Sequence, residues 1–368
     1  MRILHTEWSD GFGGQERRIL AEMTGMRARG HDIWLATRAE AQLHTAAEAA
    51  GIPTLRLPLR GAADLASAAR LARQLRRLRI DVVNTHSGID SWVGGIAARW
   101  AHSPVLLRTR HLNNPLRRGW TNFVHYLPDR IIACGEAVRT RLVDECGFPA
   151  AQVVSIPTGI DFARFRPARP RHSVRAALGL NDTDELLLMV GVLRGVKRHL
   201  LALEAIHRLG ERRPHLQLVL AGDGPMREEI AARAETLGLT GRVHFLGHRD
   251  DVPDLMGAAD ALLLSSRSEG VPQAVTQALG MGLPVVATEV GGVPELIRQE
   301  DTGLLVPTED ADAMAAALDR IFADPGWAKT LGERGRAHAH AHFSLDAMLD
   351  ATERLCDDLL QRPERTTR

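Results

Sequence analysis

The chain is short of several residue types, and each shortage removes a class of answer. Its three cysteines, Cys134, Cys146 and Cys356, form no C-x-x-C pair and no even set, so neither a disulfide framework nor a thiolate metal site is indicated and a reducing compartment is expected. Aromatic residues make up 4%, with one tyrosine. The arginine-rich run from Arg70 to Arg79 has no aromatic recognition motif beside it; it reads as a solvated helix face, and nucleic acid is not an expected partner. Lysine is nearly absent: of 46 cationic residues only Lys197 and Lys329 are lysines. The longest apolar run, Leu186 to Leu193, is broken by Gly191 and is far below membrane-spanning length, while Met1 to Glu7 lacks the apolar core of a signal peptide. A cytoplasmic protein is expected, free or peripheral at the inner face of the plasma membrane.

What is present is enough for two domains: 368 residues with 45% hydrophobic content. The net charge of +1 conceals a division, because residues 1–170 carry 24 arginines against 15 acids (+9) and the remainder carries 22 cations against 30 acids (−8). Short β-rich runs alternate with helical periods: Arg2–His5, a helix at Glu16–Arg29, Asp32–Thr37, helices at Ala41–Ala50 and Ala62–Leu78, Val82–Thr85, Val105–Thr109, Arg130–Cys134 and Val153–Ile156. That alternation implies βαβ units and a parallel sheet. Residues 164–171, rich in Arg and Pro, follow neither period and read as an interdomain linker. The pattern restarts with strands at Leu186–Val190, Leu216–Ala221, Val243–Leu246, Ala261–Leu264, Val285–Ala287 and Gly303–Val306, and Ser344 to Leu360 reads as a capped final helix. Doubly wound sheets hold ligands at the carboxyl ends of their strands, so residues just beyond strand ends are the candidates.

Four such segments carry chemistry. Gly11-Phe12-Gly13-Gly14-Gln15-Glu16 joins the first strand to the first helix; its glycines let backbone N–H groups approach a phosphate, and a turn that binds nothing fits equally. Gly191 to Arg198 presents Arg194 and Lys197 where a helix begins, as a bidentate fork and a point charge for a diphosphate, or as a solvated basic turn. Ala221-Gly222-Asp223-Gly224-Pro225 reads as a tight turn. In Ser265 to Leu279 a strand ends in a polar loop with Glu269, and Pro272 opens a helix. N–H groups near Val271 to Ala274 then face a bound anion, Glu269 reads sugar hydroxyls and Gln277 reads a ribose; an acid before a helix is also an ordinary start signal. Asp310-Ala311-Asp312 reads as helix-capping residues rather than a metal motif, and His338, His340 and His342 as imidazoles near a helix end.

The ordered set resembles the retaining glycosyltransferase family 4. It comprises Gly13-Gly14-x-Glu16-Arg17, His86-Ser87, Thr109-Arg110-His111, Ile156-Pro157-Thr158-Gly159-Ile160-Asp161 with Phe165-Arg166-Pro167, the Arg194/Lys197 turn, Gly222-Asp223-Gly224-Pro225 and Glu269-Gly270-Val271-Pro272. The resemblance runs from about residue 1 to 345 and implies an α/β fold of the GT-B type: two Rossmann-like doubly wound domains facing an interdomain cleft. These are an acceptor domain at 1–166 and a nucleotide-sugar domain at 167–345, with a helix and tail at 346–368. By the same resemblance Gly13 and Gly14 approach the donor phosphates, Arg194 and Lys197 neutralise the diphosphate, Glu269 contacts the donor sugar and His111 stands near the reacting centre. Gly222, Gly270, Val271, Pro272, Gln273 and Gln277 line the donor. Two departures stand out: Gln277 replaces the second acid of Glu-x7-Glu, and Val192 replaces the arginine after the strand-end glycine, leaving Arg194 as the substitute cation.

The implied activity is transfer of a sugar from a nucleotide-sugar, a UDP-sugar in preference to GDP-mannose, to a glycan or lipid-linked acceptor in lipopolysaccharide or other cell-surface polysaccharide synthesis, with no metal or further cofactor. The basic first half suits an anionic membrane surface. Arg117 to Tyr126, which interleaves cations with aromatics, reads either as a lipid-interface segment or as a core helix with its aromatics turned inward. A nucleotide-sugar 2-epimerase and a non-enzymatic nucleotide-binding protein are the alternatives.

Overall fold

Ala261–Leu264 and Val285–Thr288 are buried at every residue, as strands covered by helices on both faces must be. They belong to one of two compact units in the computed structural model, which describes residues 1–111, 115–116, 119–181 and 183–361. Unit one comprises Met1–Gly159 with Leu345–Arg368, and unit two Ile160–Ser344.

The strands of unit one are β1 (Arg2–Glu7), β2 (Asp32–Thr37), β3 (Thr54–Arg56), β4 (Val82–Thr85), β5 (Val105–Arg110), β6 (Arg130–Ala133) and β7 (Val153–Ser155). Its helices are α1 (Gly14–Ala28), α2 (Gln42–Ala49), α3 (Leu65–Leu78), α4 (Gly88–Ala101) and α5 (Glu136–Thr140). The described strands form one sheet in the order β3-β2-β1-β4-β5-β6-β7, every pairing parallel. The order reverses between β1 and β4, with Leu4 opposite Val83 and Thr6 opposite Thr85. β3, three residues at the sheet edge, is too short to show a period and escapes the sequence reading. On α3, Ala68, Leu71, Ala72 and Leu75 are buried while Arg70, Arg73, Arg76 and Arg77 are exposed, so the arginine run is a solvated face.

Unit two has β8 (Glu185–Val190), β9 (Leu216–Ala221), β10 (Val243–Gly247), β11 (Ala261–Leu264), β12 (Val285–Thr288) and β13 (Leu304–Val306). Among them run α6 (Arg171–Ala177), α7 (His199–Leu209), α8 (Arg227–Thr236), α9 (Val252–Ala258), α10 (Gln273–Gly280), α11 (Val293–Leu296), α12 (Ala311–Ala323) and α13 (Pro325–His342). The sheet order is β10-β9-β8-β11-β12-β13, again parallel, with the reversal between β8 and β11. Asp310 caps α12 by accepting the Ala313 N–H at 2.9 Å, the role its sequence context implies.

The boundaries differ from those expected at 166 and 345. Residues 164–171 are fastened to unit two: Phe162 and Phe165 pack on its core, and the Asp254 carboxylate accepts the N–H groups of Ala168 (2.6 Å) and Arg169 (3.1 Å). The chain therefore leaves unit one at Gly159. The last helix, α14 (Leu345–Leu360), returns to unit one, where Arg29, just past α1, pairs with Asp346, Asp350 and Glu353 and Met348 and Leu349 enter the core. The rest of the expected tail, 362–368, lies outside the described residues.

Candidate active site

The carboxyl ends of β8 and β11, at the sheet reversal of unit two, are where a doubly wound sheet holds its ligand. Lys197 and Glu269 lie just beyond these two ends and meet: Lys197 Nζ is 2.7 Å from Glu269 Oε1. Ser266 Oγ donates to the same carboxylate oxygen at 2.5 Å. Both side chains remain partly accessible, at 25% for Lys197 and 11% for Glu269. Ser265 ties the two loops by donating to Lys197 O (2.8 Å), and Arg267 N–H donates to Val196 O (2.8 Å). Arg194 is exposed on the same turn, and among the described residues nothing pairs with its guanidinium.

Backbone packing holds these loops in place. A Cβ on Gly222 would lie 1.9 Å from Gly191 O, and one on Gly291 1.9 Å from Glu269 O, so two glycine turns abut the loops that carry Lys197 and Glu269. Gly291 also has φ of +51°, and the Gly292 N–H donates to Gly270 O at 2.8 Å. Beyond Gly270 and Val271, Pro272 leads into α10, which begins with no side-chain cap from Pro272, so the positive end of its dipole faces this loop. Gln273 opens this helix and Gln277 sits one turn inside, partly buried. Of the expected residues the structure joins Lys197 to Glu269; Arg194, Gly222, Gly270, Val271 and Pro272 lie in the turns after β8, β9 and β11, and Gln273 and Gln277 lie on α10. Sequence reasoning gave Ser266 and Gly291-Gly292 no role; paired serines at a strand end were the available signal.

A cavity of about 580 Å³ lies at the opposite edge of this sheet, before β8, β11 and β12. Its charges are already paired, Arg171 with Asp260 and Glu185 with Arg213. It shares no residue with the Lys197–Glu269 site.

In unit one the sequence candidates separate. Gly13 and Gly14 open α1, but the Gly13 N–H is taken by Glu16 Oε2 at 2.7 Å. Their approach to donor phosphates keeps only the support of the resemblance. His111, just past β5, joins two other imidazoles: its Nε2 is 3.0 Å from His86 Nδ1, and His86 Nε2 is 2.9 Å from His5 Nδ1. His5 and His86 stack with rings 5.2 Å apart. Burial pushes the pKa of His5 down and those of His86 and His111 well down, with Arg18 adding to both of the latter and Glu22 opposing for His5. Beside them the fully buried Asp90 accepts the His86 backbone N–H (2.8 Å) and the Thr6 hydroxyl (2.8 Å). Burial, with Asp90 nearby, pushes Glu7 up to about 8. No spacing in the sequence announces the roles of His5, Glu7, Arg18 or Asp90.

Arg117 and Arg118 of the cation–aromatic segment lie outside the described residues. Of the aromatics whose side chains are described, Phe123 and Tyr126 are 47% and 37% exposed, Phe123 edge-on to Trp92 and Tyr126 stacked on Phe148, while Val124 turns inward. His340 stacks on Phe162 and its Nε2 lies 3.1 Å from Gly280 O, a packing role. Among the described residues no helix is long and apolar enough to cross a membrane, and no group of three His, Cys, Asp or Glu is arranged to hold a metal ion.

Comparison with known proteins agrees with the fold. Residues 12–164 match the family described as Glycosyltransferase Family 4, and residues 170–338 match Glycosyl transferases group 1. The UDP-Gal:alpha-D-GlcNAc-diphosphoundecaprenol alpha-1,3-galactosyltransferase of Escherichia coli is 27% identical over 342 residues, 88% of each chain. The D-inositol 3-phosphate glycosyltransferase of Mycobacterium avium is 30% identical over 293 residues, 74% of this chain and 68% of that one. The crystal structure of Anabaena HepE in complex with UDP superposes with a TM-score of 0.87 at 22% identity, covering 97% of this chain and 100% of that one. Matches to both halves, a relative at 30% identity and paired doubly wound sheets agree: the chain belongs to glycosyltransferase family 4, with the GT-B fold, and is an enzyme that uses nucleotide-sugar donors.

Proposed function

We propose that this enzyme transfers a sugar, with retention of anomeric configuration, from a UDP-sugar to a lipid-linked or glycan acceptor in lipopolysaccharide or other cell-surface polysaccharide synthesis, without a metal ion. The observation that carries the reading is the Lys197–Glu269 pair across the sheet reversal of unit two, beside an uncapped helix N-terminus and the exposed Arg194. The UDP preference draws support from the E. coli relative, named for UDP-Gal, and from HepE, crystallised with UDP. The lipid-linked acceptor draws support from the same E. coli name, which specifies a diphosphoundecaprenol.

On this reading the diphosphate draws Lys197 from Glu269 and is neutralised by Lys197 and Arg194, while α10 amides face its oxygens and Gln277 reads the ribose. Glu269, released, accepts hydrogen bonds from sugar hydroxyls. The bond from the anomeric carbon to the β-phosphate oxygen breaks as the acceptor oxygen bonds to that carbon on the same face, and the acceptor proton passes to a phosphate oxygen. The protein's task is to stabilise charge on the leaving diphosphate and to hold the reactants in place, without a carboxylate nucleophile. His111 contributes from the acceptor unit as a hydroxyl contact. The exposed Phe123 and Tyr126 and the arginine face of α3 favour docking at an anionic membrane.

Thermal-shift measurement with UDP, GDP, ADP, CMP and their sugars, with and without EDTA, tests the donor. UDP and one UDP-sugar should stabilise the protein in both conditions, by about 2.7 kcal/mol at a hundredfold excess over Kd. A preference for another nucleotide would overturn the donor assignment, and loss of the shift in EDTA the metal-free one. Flotation with liposomes tests the membrane: binding should need anionic lipid and weaken with salt.

A further inference from the structure

The alternation of β5 turns two arginines, Arg108 and Arg110, to one face of the sheet. Leu106, in the same row, shares a core with Val93 and Ala97 of α4, whereas Leu107 belongs to the core of Ile19 and Met23 on α1. Arg108 and Arg110 therefore leave the strand on the side that α4 covers. Arg108 is 1% exposed and Arg110 8%. The Arg108 guanidinium meets a neutral partner: Nη1 donates to His125 Nδ1, Nε is buried with no partner, and among the described residues no carboxylate pairs with it. Asp90 acts on Arg108, but its oxygens are taken. Oδ2 accepts the Thr6 hydroxyl and the His86 backbone N–H, and Oδ1 accepts the Ser87 N–H at 2.7 Å and the Ser87 hydroxyl.

A cation buried without a counter-ion, next to a second cation, is costly to keep, because it has lost its hydration and gained a repulsion. Burial and Arg110 push Arg108 down to about 10, and burial with both guanidiniums pushes His125 down to about 3. The imidazole is thus neutral and gives Arg108 a lone pair where an anionic oxygen would bind more strongly. The short segment that supplies His125, Trp120–Tyr126, has aromatic rings on its outer side. Exposed Phe123 lies edge-on to Trp92 of α4 with ring centres 5.1 Å apart, and exposed Tyr126 stacks on Phe148. Buried cations and outward rings on one segment match a phosphate ester of a long-chain alcohol; a free phosphate has no use for the rings.

We propose that Arg108 and Arg110 hold the phosphate of a lipid-linked acceptor, which displaces His125 from Arg108, and that Phe123 and Trp92 meet the first carbons of its chain. This deepens the acceptor reading above, on which it rests, by naming the residues that meet the anion. The alternation that sends Arg108 and Arg110 to the α4 face sends His111 toward the other. An acceptor with its phosphate at the arginines and its hydroxyl at His111 therefore straddles the end of β5.

Isothermal titration calorimetry of the full chain tests the site, with UDP saturating so that no diphosphate enters the donor loops. Farnesyl diphosphate is the probe, and inorganic diphosphate and farnesol are its two halves. Farnesyl diphosphate should bind about tenfold or more tightly than either half. Arg108→Gln and Arg110→Gln should each weaken it by about tenfold or more, the loss expected for a charged hydrogen bond. Phe123→Ser should weaken it while leaving inorganic diphosphate unchanged, and Arg56→Gln, which removes an exposed arginine on β3, should change neither. If Arg108→Gln fails to fold, Arg110→Gln and Phe123→Ser decide. Unchanged affinity in the folded arginine variants, or an equal loss in Arg56→Gln, would overturn the site, and inorganic diphosphate binding as tightly as the farnesyl ester would overturn the lipid. The titration needs no turnover, so a site that holds in a protein that transfers no sugar counts against the transferase reading instead.

Discussion

Gly291→Ala isolates how firmly the site depends on backbone contact rather than on side-chain chemistry. The added Cβ would lie 1.9 Å from Glu269 O, where real Cβ contacts stay above 3.0 Å, so the Glu269 loop must retreat by about 1 Å. A misplacement of about that size at a reacting group can cost ~100-fold in rate, or about 2.7 kcal/mol of transition-state stabilisation. The substitution also places alanine at φ of +51°, a strain of about 1–2 kcal/mol that should lower Tm by several degrees in a unit of this size. Gly238→Ala separates the two effects, because Gly238 has φ of +68° with nothing within 4 Å of its Cβ position. Gly291→Ala should lose more stability than Gly238→Ala, which carries the strain of positive φ alone. Only Gly291→Ala should lose about two orders of magnitude in kcat/KM, measured as UDP release from the UDP-sugar that best stabilises the wild type. Activity within threefold of wild type in Gly291→Ala, or an equal loss in Gly238→Ala, would show that the glycine turn does not position Glu269.

Three further outcomes follow from the same geometry. Lys197→Ala and Arg194→Ala should each weaken UDP binding about 10- to 100-fold, the worth of a charged hydrogen bond at roughly 1.5–3 kcal/mol, in isothermal titration calorimetry; unchanged affinity in both would remove the diphosphate assignment. Glu269→Ala should lose turnover more than UDP affinity, whereas Gln277→Glu should keep both within about threefold, since either side chain can accept from a ribose hydroxyl. Glu7, pushed from its ordinary 4.5 up to about 8 chiefly by burial, keeps a proton in the folded chain that the unfolded chain has released, so its contribution to stability falls as pH rises between those values. Glu7→Gln should therefore flatten the decline of Tm from pH 5 to pH 8, and an unchanged decline would assign it to other groups.

How much was legible in the sequence differs by element. Asp32–Thr37, Val82–Thr85, Leu216–Ala221 and Ala261–Leu264 have the ends their apolar runs announce, because buried parallel strands need continuous apolar or β-branched stretches bounded by polar turns. The strand-to-helix loop carrying Glu269 was legible for the same local reason. The interdomain boundary was not: residues 164–171 look like a linker by composition, yet Asp254 and the core beneath Phe165 bind them to unit two.

The sequence by itself determined two parallel α/β units, the loops at their strand ends and the family motif set, since these depend on periods and residue types within a few tens of positions. Tertiary structure alone decided which side chains meet. Lys197 and Glu269 pair across 72 residues because a sheet reversal sets β8 beside β11, and His5 reaches His86 across 81 residues because β1 lies beside β4. The acidity of Glu7 and the cost of a single methyl at Gly291 follow from meetings of the same kind, and no local pattern encodes them.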